Sequence, residues 1–275
     1  MSSPDSPVRP EVDELWERRD QLTPADADAR KVVTEAVDLL DTGAARAARV
    51  VGNEVVVDER AKRAILLSFR LLDMVESAAG DFRYHDRMPL KTRLDGVRVV
   101  PGAIARWGSY VAPGVILMPS FVNIGGYVGA GTLVDTWATV GSCAQIGEGV
   151  HLSGGVGIGG VLEPPNAAPV VVEDGALIGS RSMIVEGARV GRGAVVGSGV
   201  NLTASMPVID VETGQEVSRG HIPAWSVAVS GVRQKQFPGG SYGLPCVLLI
   251  KRLAEGERHD KAQLNQVLRT HGLSR

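Results

Sequence analysis

From Ile104 onward, the hydrophobic positions of the chain recur every six residues. Ile104, Tyr110, Ile116, Val122, Val128, Val134, Val140, Ile146, Leu152 and Ile158 stand at successive steps of six, and all but Tyr110 are aliphatic. Four residues after each, the side chain is mostly small: Gly108, Gly114, Ser120, Gly126, Thr132, Ala138, Ala144, Val150 and Val156. The residue just after the aliphatic is often Gly or short and polar, as at Gly129, Asp135, Gly141 and Gly147. The frame resumes at Val172, Ile178, Ile184, Val190, Val196 and Leu202. Ile158 and Val172 are 14 residues apart, two more than two units. The excess falls in Val161–Pro169, whose prolines cannot donate to a strand ladder, so a loop is expected near 160–171, pushed out of one coil.

A period of six is neither helical nor that of an alternating strand. It fits a parallel β-helix in which three units make one triangular coil, aliphatics fill the interior and small residues fit the corners. Residues 96–232 are expected to form about five such coils at roughly 18 residues per coil. The flanks differ. Residues 1–95 are charged and show helical spacing over Val12–Leu22, Ala25–Leu40 and Ala61–Val75, with a hairpin Ala48–Val57 turning at Gly52-Asn53. They read as an α-rich N-terminal domain. After Leu202 a polar excursion, Asp210–Gly220, precedes the end of the coils. Residues 233–275, with a strand Cys246–Lys251 and a helix Asp260–Thr270, are expected to cap the open end of the stack.

Composition agrees with a narrow prism. Of 275 residues, 34 are Gly and only 4 each are Phe, Trp and Tyr, yet 44% are hydrophobic, so aliphatic side chains must build the core. A net charge of −2 gives no broad basic face, which speaks against nucleic acid as a partner. Apolar runs such as Cys246–Ile250 are too short to span a bilayer, and the start Met1-Ser-Ser-Pro-Asp lacks a secretory pattern. A soluble, cytoplasmic protein without membrane contact is expected. Cys143 and Cys246 read as reduced structural cysteines, and no CxxC or Cys/His cluster points to a metal.

The repeats, followed by Ile222-Pro-Ala-Trp-Ser-Val and Ser230-Gly-Val232, resemble the hexapeptide-repeat acyltransferases. That resemblance implies a left-handed parallel β-helix, a mainly β fold, and homotrimers with acyl-CoA lying between neighbouring prisms. Three longer runs, Leu117–Gly125, Val134–Gly147 and Val150–Pro164, resemble the tetrahydrodipicolinate N-succinyltransferases, as do Leu66–Arg70 and Leu268–Thr270. The implied reaction moves succinyl from succinyl-CoA to the amine of ring-opened tetrahydrodipicolinate, on the route to diaminopimelate and lysine. Alternatives are an acetyl donor on the same or a related amino acid, and a non-catalytic β-helix scaffold. A nucleotidyltransferase would need a Gly-rich Rossmann-like signature, which is missing.

Moving an acyl group from a thioester to an amine requires a proton acceptor, stabilisation of a tetrahedral oxyanion, and placement of both substrates. Asp135, in Val134-Asp-Thr-Trp137, resembles the family's substrate-binding and catalytic aspartate. In a sheltered cleft its pKa would rise, making it a base. Where family members carry Arg-Ser-Glu, this chain has Arg181-Ser182-Met183, and Glu186 is the nearest carboxylate to serve as a second acid or base. Arg98 matches an arginine of the family's substrate site; Arg181 and Arg70 are further candidates for a substrate carboxylate. Ser153, Gly154 and Gly155, together with Gly157–Gly160, offer backbone N–H groups to the pantetheine or the oxyanion. Arg233 and Lys235 are candidates for the CoA phosphates, with Lys251 and Arg252 as alternatives. His151 reads as a structural residue and Cys143 as packing at a subunit interface. The residues that break the monotony of the prism, Asp135, Trp137, Glu186, Arg98 and the proline loop 163–169, are where chemistry is to be sought.

Overall fold

Three helices open the chain in the computed structural model, which describes residues 6–162 and 168–257. Helix α1 (Glu11–Glu17) carries Glu11, Asp13 and Glu14 in its first turn, where carboxylates complement the helix dipole. Helix α2 (Ala27–Asp41) buries Val33, Ala36, Val37 and Leu40, a stripe at helical spacing. Helix α3 (Glu59–Leu71) starts where the Asp58 carboxylate accepts from the Ala61 N–H at 3.1 Å, a side-chain N-cap. Between α2 and α3 the hairpin β1 (Ala48–Val51) and β2 (Glu54–Val57) turns at Gly52-Asn53, as its sequence indicates. The third helix is shorter than its pattern suggests. It stops at Leu71, and the next residues enter a second hairpin, β3 (Val75–Ala79) and β4 (Phe82–Asp86). Every residue of β3 is exposed, so no alternation of burial was written into the sequence to reveal it.

This α-rich region is fastened to the first coils by polar contacts as well as packing. Lys91 and Asp41 form a buried ion pair at 2.8 Å. Asp41 also accepts from the Gly108 N–H at 3.0 Å, and Asp38 accepts from the Trp107 indole at 2.8 Å. Ile65 and Leu67 of α3 share one core with Ile124 and Cys143 of the prism.

The prism is a stack of short parallel strands on three faces. The first face runs from Arg98–Val99 through Leu133–Val134 and His151–Leu152 to Val195–Val196. The second runs from Ile104–Ala105 to Asn201–Leu202, and the third from Tyr110–Val111 to His221–Ile222. The second and third faces are each six strands deep, so the stack has six coils rather than about five. Interior side chains such as Val134, Val140, Ile146 and Leu152 are fully shielded from solvent.

Two details of the repeat differ from the expected frame. Ile104, Tyr110 and Ile116 point outward; their successors Ala105, Val111 and Leu117 are the buried ones, with Ser109 and Val115 at the small positions. The frame slips by one residue between Leu117 and Val122. Tyr110 pairs with Tyr127 and Tyr127 with Gln145, so an early coil has 17 residues and the next 18. The loop after Ile158 fills a single corner rather than two units plus two residues, since Gly157–Ile158 and Val171–Val172 lie on consecutive faces. Residues 163–167 of that loop lie outside the described residues.

The C-terminal strand is longer than Cys246–Lys251. Ser226–Phe237 and Gly240–Arg252 pair as an antiparallel hairpin whose outer half leaves the prism. Gly243 and Pro245 masked that extension in the sequence. Its inner half closes the stack, where Val208, Val247 and Leu249 join the interior core. The expected helix Asp260–Thr270 and the Leu268–Thr270 run lie outside the described residues. Among the described residues, no helix is long and apolar enough to cross a membrane.

Candidate active site

Where the first face turns into the second, each coil makes a corner, and the corners stack with the strand spacing of about 4.8 Å. Successive corners on this edge are Asp135–Ala138, Ser153–Val156, Gly179–Ser182 and Gly197–Val200. Asp135, Ser153-Gly154-Gly155 and Arg181, chosen separately in the sequence, therefore occupy three consecutive levels of one edge. Backbone bonds lock them together: Gly155 N–H donates to Thr136 O at 2.8 Å and Arg181 N–H to Gly154 O at 3.1 Å.

Those same bonds remove most of the expected oxyanion donors. Ser153 N–H is engaged by Ile178 O at 3.0 Å and Gly155 N–H by Thr136, because coil-to-coil pairing needs them. Gly157 and Gly159 N–H likewise donate to Ser182 O and Ile184 O. Among the described residues, Gly154 keeps the uncommitted amide of the Ser153–Gly155 run.

Asp135 is half-buried, and its acidity departs from expectation. Burial pushes its pKa up, but the Thr136 N–H at 2.6 Å, the Thr136 hydroxyl at 3.2 Å and His151 together hold the carboxyl below its ordinary value. The expected rise does not occur, because hydrogen bonds to the charged form outweigh desolvation. His151 Nε2 lies 3.7 Å from Asp135 Oδ2. It belongs to the next coil, where it pairs with Leu133, so its outward side chain reaches the corner that begins at Asp135. Reading His151 as structural missed this neighbour. Leu133 and His151 are one 18-residue coil apart, and that step alone would have found the pair.

Arg181 takes up a left-handed backbone with φ 61°. Its side chain lies across Gly155, where an added Cβ would stand 2.7 Å from Cδ and 2.8 Å from Nε. The bare glycine is what lets the guanidinium rest against the level that precedes it. Trp137, two residues from Asp135, also has a left-handed backbone at φ 61°, and its side chain is 71% exposed.

The other candidates are dispersed. Arg98 is exposed on the first face, two coils before Leu133. Glu186, at φ 59°, stands on the edge between the second and third faces, a full face away from Asp135. Arg70, in α3, binds Asp20 at 3.3 Å beside Trp16 and Phe69, and takes no part in the Asp135 edge. Arg233 and Lys235 sit on the outer half of the C-terminal hairpin, Arg233 paired with Glu216 at 3.4 Å and Lys235 over the Phe237 ring. The alternatives Lys251 and Arg252 pair with Glu257 and Asp210. Cys143 is not at an open interface: α3 covers it, and burial pushes its thiol up to about 12, which removes it as a nucleophile. Among the described residues, no three His, Cys, Asp or Glu side chains converge as a metal site.

Comparison with known proteins matches this architecture in both parts. Residues 7–71 fit the tetrahydrodipicolinate N-succinyltransferase N-terminal family, and residues 169–204 the hexapeptide repeat of succinyl-transferase. A 2,3,4,5-tetrahydropyridine-2,6-dicarboxylate N-succinyltransferase from Ralstonia pickettii is 49% identical over 269 residues, covering 94% of this chain and 96% of that protein. The chain belongs to this N-succinyltransferase family. The same-named protein of Yersinia pestis is 45% identical, covering 94% of this chain and 97% of its own. A crystal structure of a Campylobacter jejuni 2,3,4,5-tetrahydropyridine-2-carboxylate N-succinyltransferase shares the fold, with TM-score 0.52 and 18% identity over 80% of this chain and 62% of that one. The prism is thus the left-handed β-helix of the N-succinyltransferase family, and the protein is an acyltransferase.

Proposed function

We propose that this N-succinyltransferase joins the succinyl group of a CoA thioester to the amine of acyclic tetrahydrodipicolinate, in the cytoplasm, on the edge that carries Asp135. The observation behind this reading is the Asp135–His151 contact at 3.7 Å, one level from the only uncommitted amide of the Ser153–Gly155 run and two from Arg181.

The chemistry follows from those positions. A carboxylate held below its ordinary pKa is a poor base toward a free ammonium but a strong partner for positive charge on nitrogen. Asp135 therefore binds and orients the amine. As nitrogen attacks the thioester carbon, the C–N bond forms, positive charge builds on nitrogen and negative charge on oxygen. Gly154 N–H is placed for that oxyanion, at Ser153–Gly155. Loss of the ammonium proton to the Asp135–His151 pair precedes breaking of the C–S bond, and the sulfur departs as thiolate to be protonated as free CoA. Arg181, held over Gly155, suits a substrate carboxylate by its planar fork.

Asp135 and Glu186 occupy different edges, so one chain does not bring them together. A homotrimer would do so by laying the Glu186 edge of one subunit along the Asp135 edge of the next, with Arg98, Arg70 and the CoA-binding hairpin residues Arg233 and Lys235 serving the shared cleft. Thiol release from succinyl-CoA, with and without tetrahydrodipicolinate and beside acetyl-CoA, tests the reaction. Acceptor-dependent release with the succinyl donor is expected; equal or faster release from acetyl-CoA would replace the donor, and no acceptor dependence would overturn the reaction.

A further inference from the structure

The third face of the prism lies opposite the Asp135 edge, and hairpin β1–β2 stands over it, enclosing a cavity of about 800 Å³. On the prism wall the acids are already matched. Arg189 binds Glu173 at 2.6 Å and Arg192 binds Asp174 at 3.0 Å, while Arg189 also donates to Asn53 O at 2.6 Å and so ties the turn of the hairpin to that wall.

The opposite wall carries two guanidiniums that, among the described residues, make no ion-pair contact. The half-buried Arg46 guanidinium lies 3.7 Å over the Tyr127 ring, and its Nε donates to Gln145 Oε1 at 2.9 Å. These contacts fix the fork in place and leave its charge standing. Arg49 lines the same cavity, and among the described residues neither arginine has a carboxylate within ion-pair distance. Burial pulls the Arg46 pKa below its ordinary value; Tyr127 and the more distant Asp174 oppose that shift, and Arg49 adds to it. Two guanidiniums facing one cavity repel each other unless something negative lies between them. A fork already held in position loses little freedom on binding and matches the paired oxygens of a carboxylate or phosphate. Glu148, the remaining carboxylate of the lining, is exposed at the rim.

We propose that this cavity binds a small metabolite anion through its carboxylate or phosphate on Arg46 and Arg49, at a site separate from the succinyl-transfer edge. This site does not depend on the reaction proposed above. Because the anion binds only the folded arrangement of Arg46 and Arg49, binding also stabilises the fold by mass action.

Calorimetric titration of the full chain with sodium phosphate, and separately with malonate, reads the site and separates the two anion chemistries. Saturable binding of at least one probe is expected, weakened tenfold or more in Arg46→Gln and in Arg49→Gln, with succinyl transfer in the absence of probe within twofold of the unaltered protein. If Arg46→Gln does not fold, for want of its contact to Gln145, the exposed Arg49 carries the test alone. Failure of both probes to bind, binding unchanged by the substitutions, or binding abolished instead by Arg181→Gln would each overturn the proposal, the last by placing the anion on the transfer edge.

Discussion

Two edges of the prism impose the same backbone and fill it differently. On the edge between the third and first faces, the left-handed position of successive corners is Gly96, Gly114, Gly131, Gly149, Gly175 and Gly193, and only the last corner, at the capped end of the stack, puts a side chain there, Trp225. On the edge between the first and second faces it is Gly102, then Trp137, Gly155, Arg181 and Gly199. A side chain in that conformation costs about 1–2 kcal/mol relative to glycine. Nothing in the interior needs Trp137 or Arg181, since both point away from the core and both are exposed. The run from Gly96 to Gly193 shows what the inner coils require; Trp137 and Arg181 show where inner coils tolerate a loss, and both stand on the edge that holds Asp135.

The largest break in that contrast should come from Asp135 itself. Asp135→Ala is expected to lower turnover about 10²-fold or more, the usual scale of positioned acid–base groups, with the folded state intact. Steady-state rates check it, and turnover within threefold of the unaltered protein would remove Asp135 from the mechanism. His151→Gln, which keeps size and polarity but removes the imidazole 3.7 Å from Asp135, should lower the rate in the same steady-state assay by less than Asp135→Ala does.

A pair of equivalent substitutions compares the edges directly. Gly155→Ala puts a methyl within 3 Å of the Arg181 side chain, so the guanidinium must move. Loss of one charge-assisted contact to a substrate carboxylate, about 1.5–3 kcal/mol, should raise the KM for the acceptor about tenfold or more. Gly149→Ala, with φ 60° and nothing within 4 Å of its Cβ, should lower stability by about 1 kcal/mol and leave KM unchanged. Equal effects of both on KM would mean that the two edges do not differ in function.

Much of this was legible in the chain because a β-helix writes its interior at a fixed period. Val122 to Ile158 could be placed coil by coil, and Asp135 and Ser153–Gly155 fall on one edge once the step of 18 is applied; Arg181 joins them only in the structure, because the loop after Ile158 lengthens the next step to 26 residues. The first coils were misread because Ile104 and Ile116 are aliphatic yet face outward, while a corner one residue short, at Met118-Pro119-Ser120, shifts the frame unseen. Hairpin β3–β4 left no trace because exposed strands carry no burial pattern. The Asp135 pKa was beyond reach for a different reason: it depends on the Thr136 amide and on a histidine one coil away, and spacing along the chain reports neither angle nor distance.

Trp137 sharpens the same comparison at smaller scale. Trp137→Gly removes the strain of φ 61° but gives the unfolded chain more freedom, so a net gain of about 0.5–1 kcal/mol is expected. For a chain of this length that is about 1–4 °C in melting temperature. The catalytic efficiency should fall in the same variant, because the exposed indole beside Asp135 has no role inside its own subunit. A variant that is both less stable and fully active would show that the tryptophan serves the fold.

The smallest effect is the pH dependence of stability. Asp135 has a folded pKa below its ordinary value, so its contribution is fully present above the unfolded pKa of about 3.9 and is lost as pH falls through the folded value. The difference in unfolding free energy between the unaltered protein and Asp135→Asn should therefore be flat from about pH 5 to neutrality and shrink below about pH 4. A glycine-edge control such as Gly149→Ala introduces no titrating group, so its difference from the unaltered protein should stay constant across the same range. Denaturant titrations at several pH values check both. A difference for Asp135→Asn that grows as the solution becomes more acid would mean that desolvation, not the Thr136 and His151 contacts, sets the carboxyl's acidity, and would return Asp135 to the role of a sheltered base.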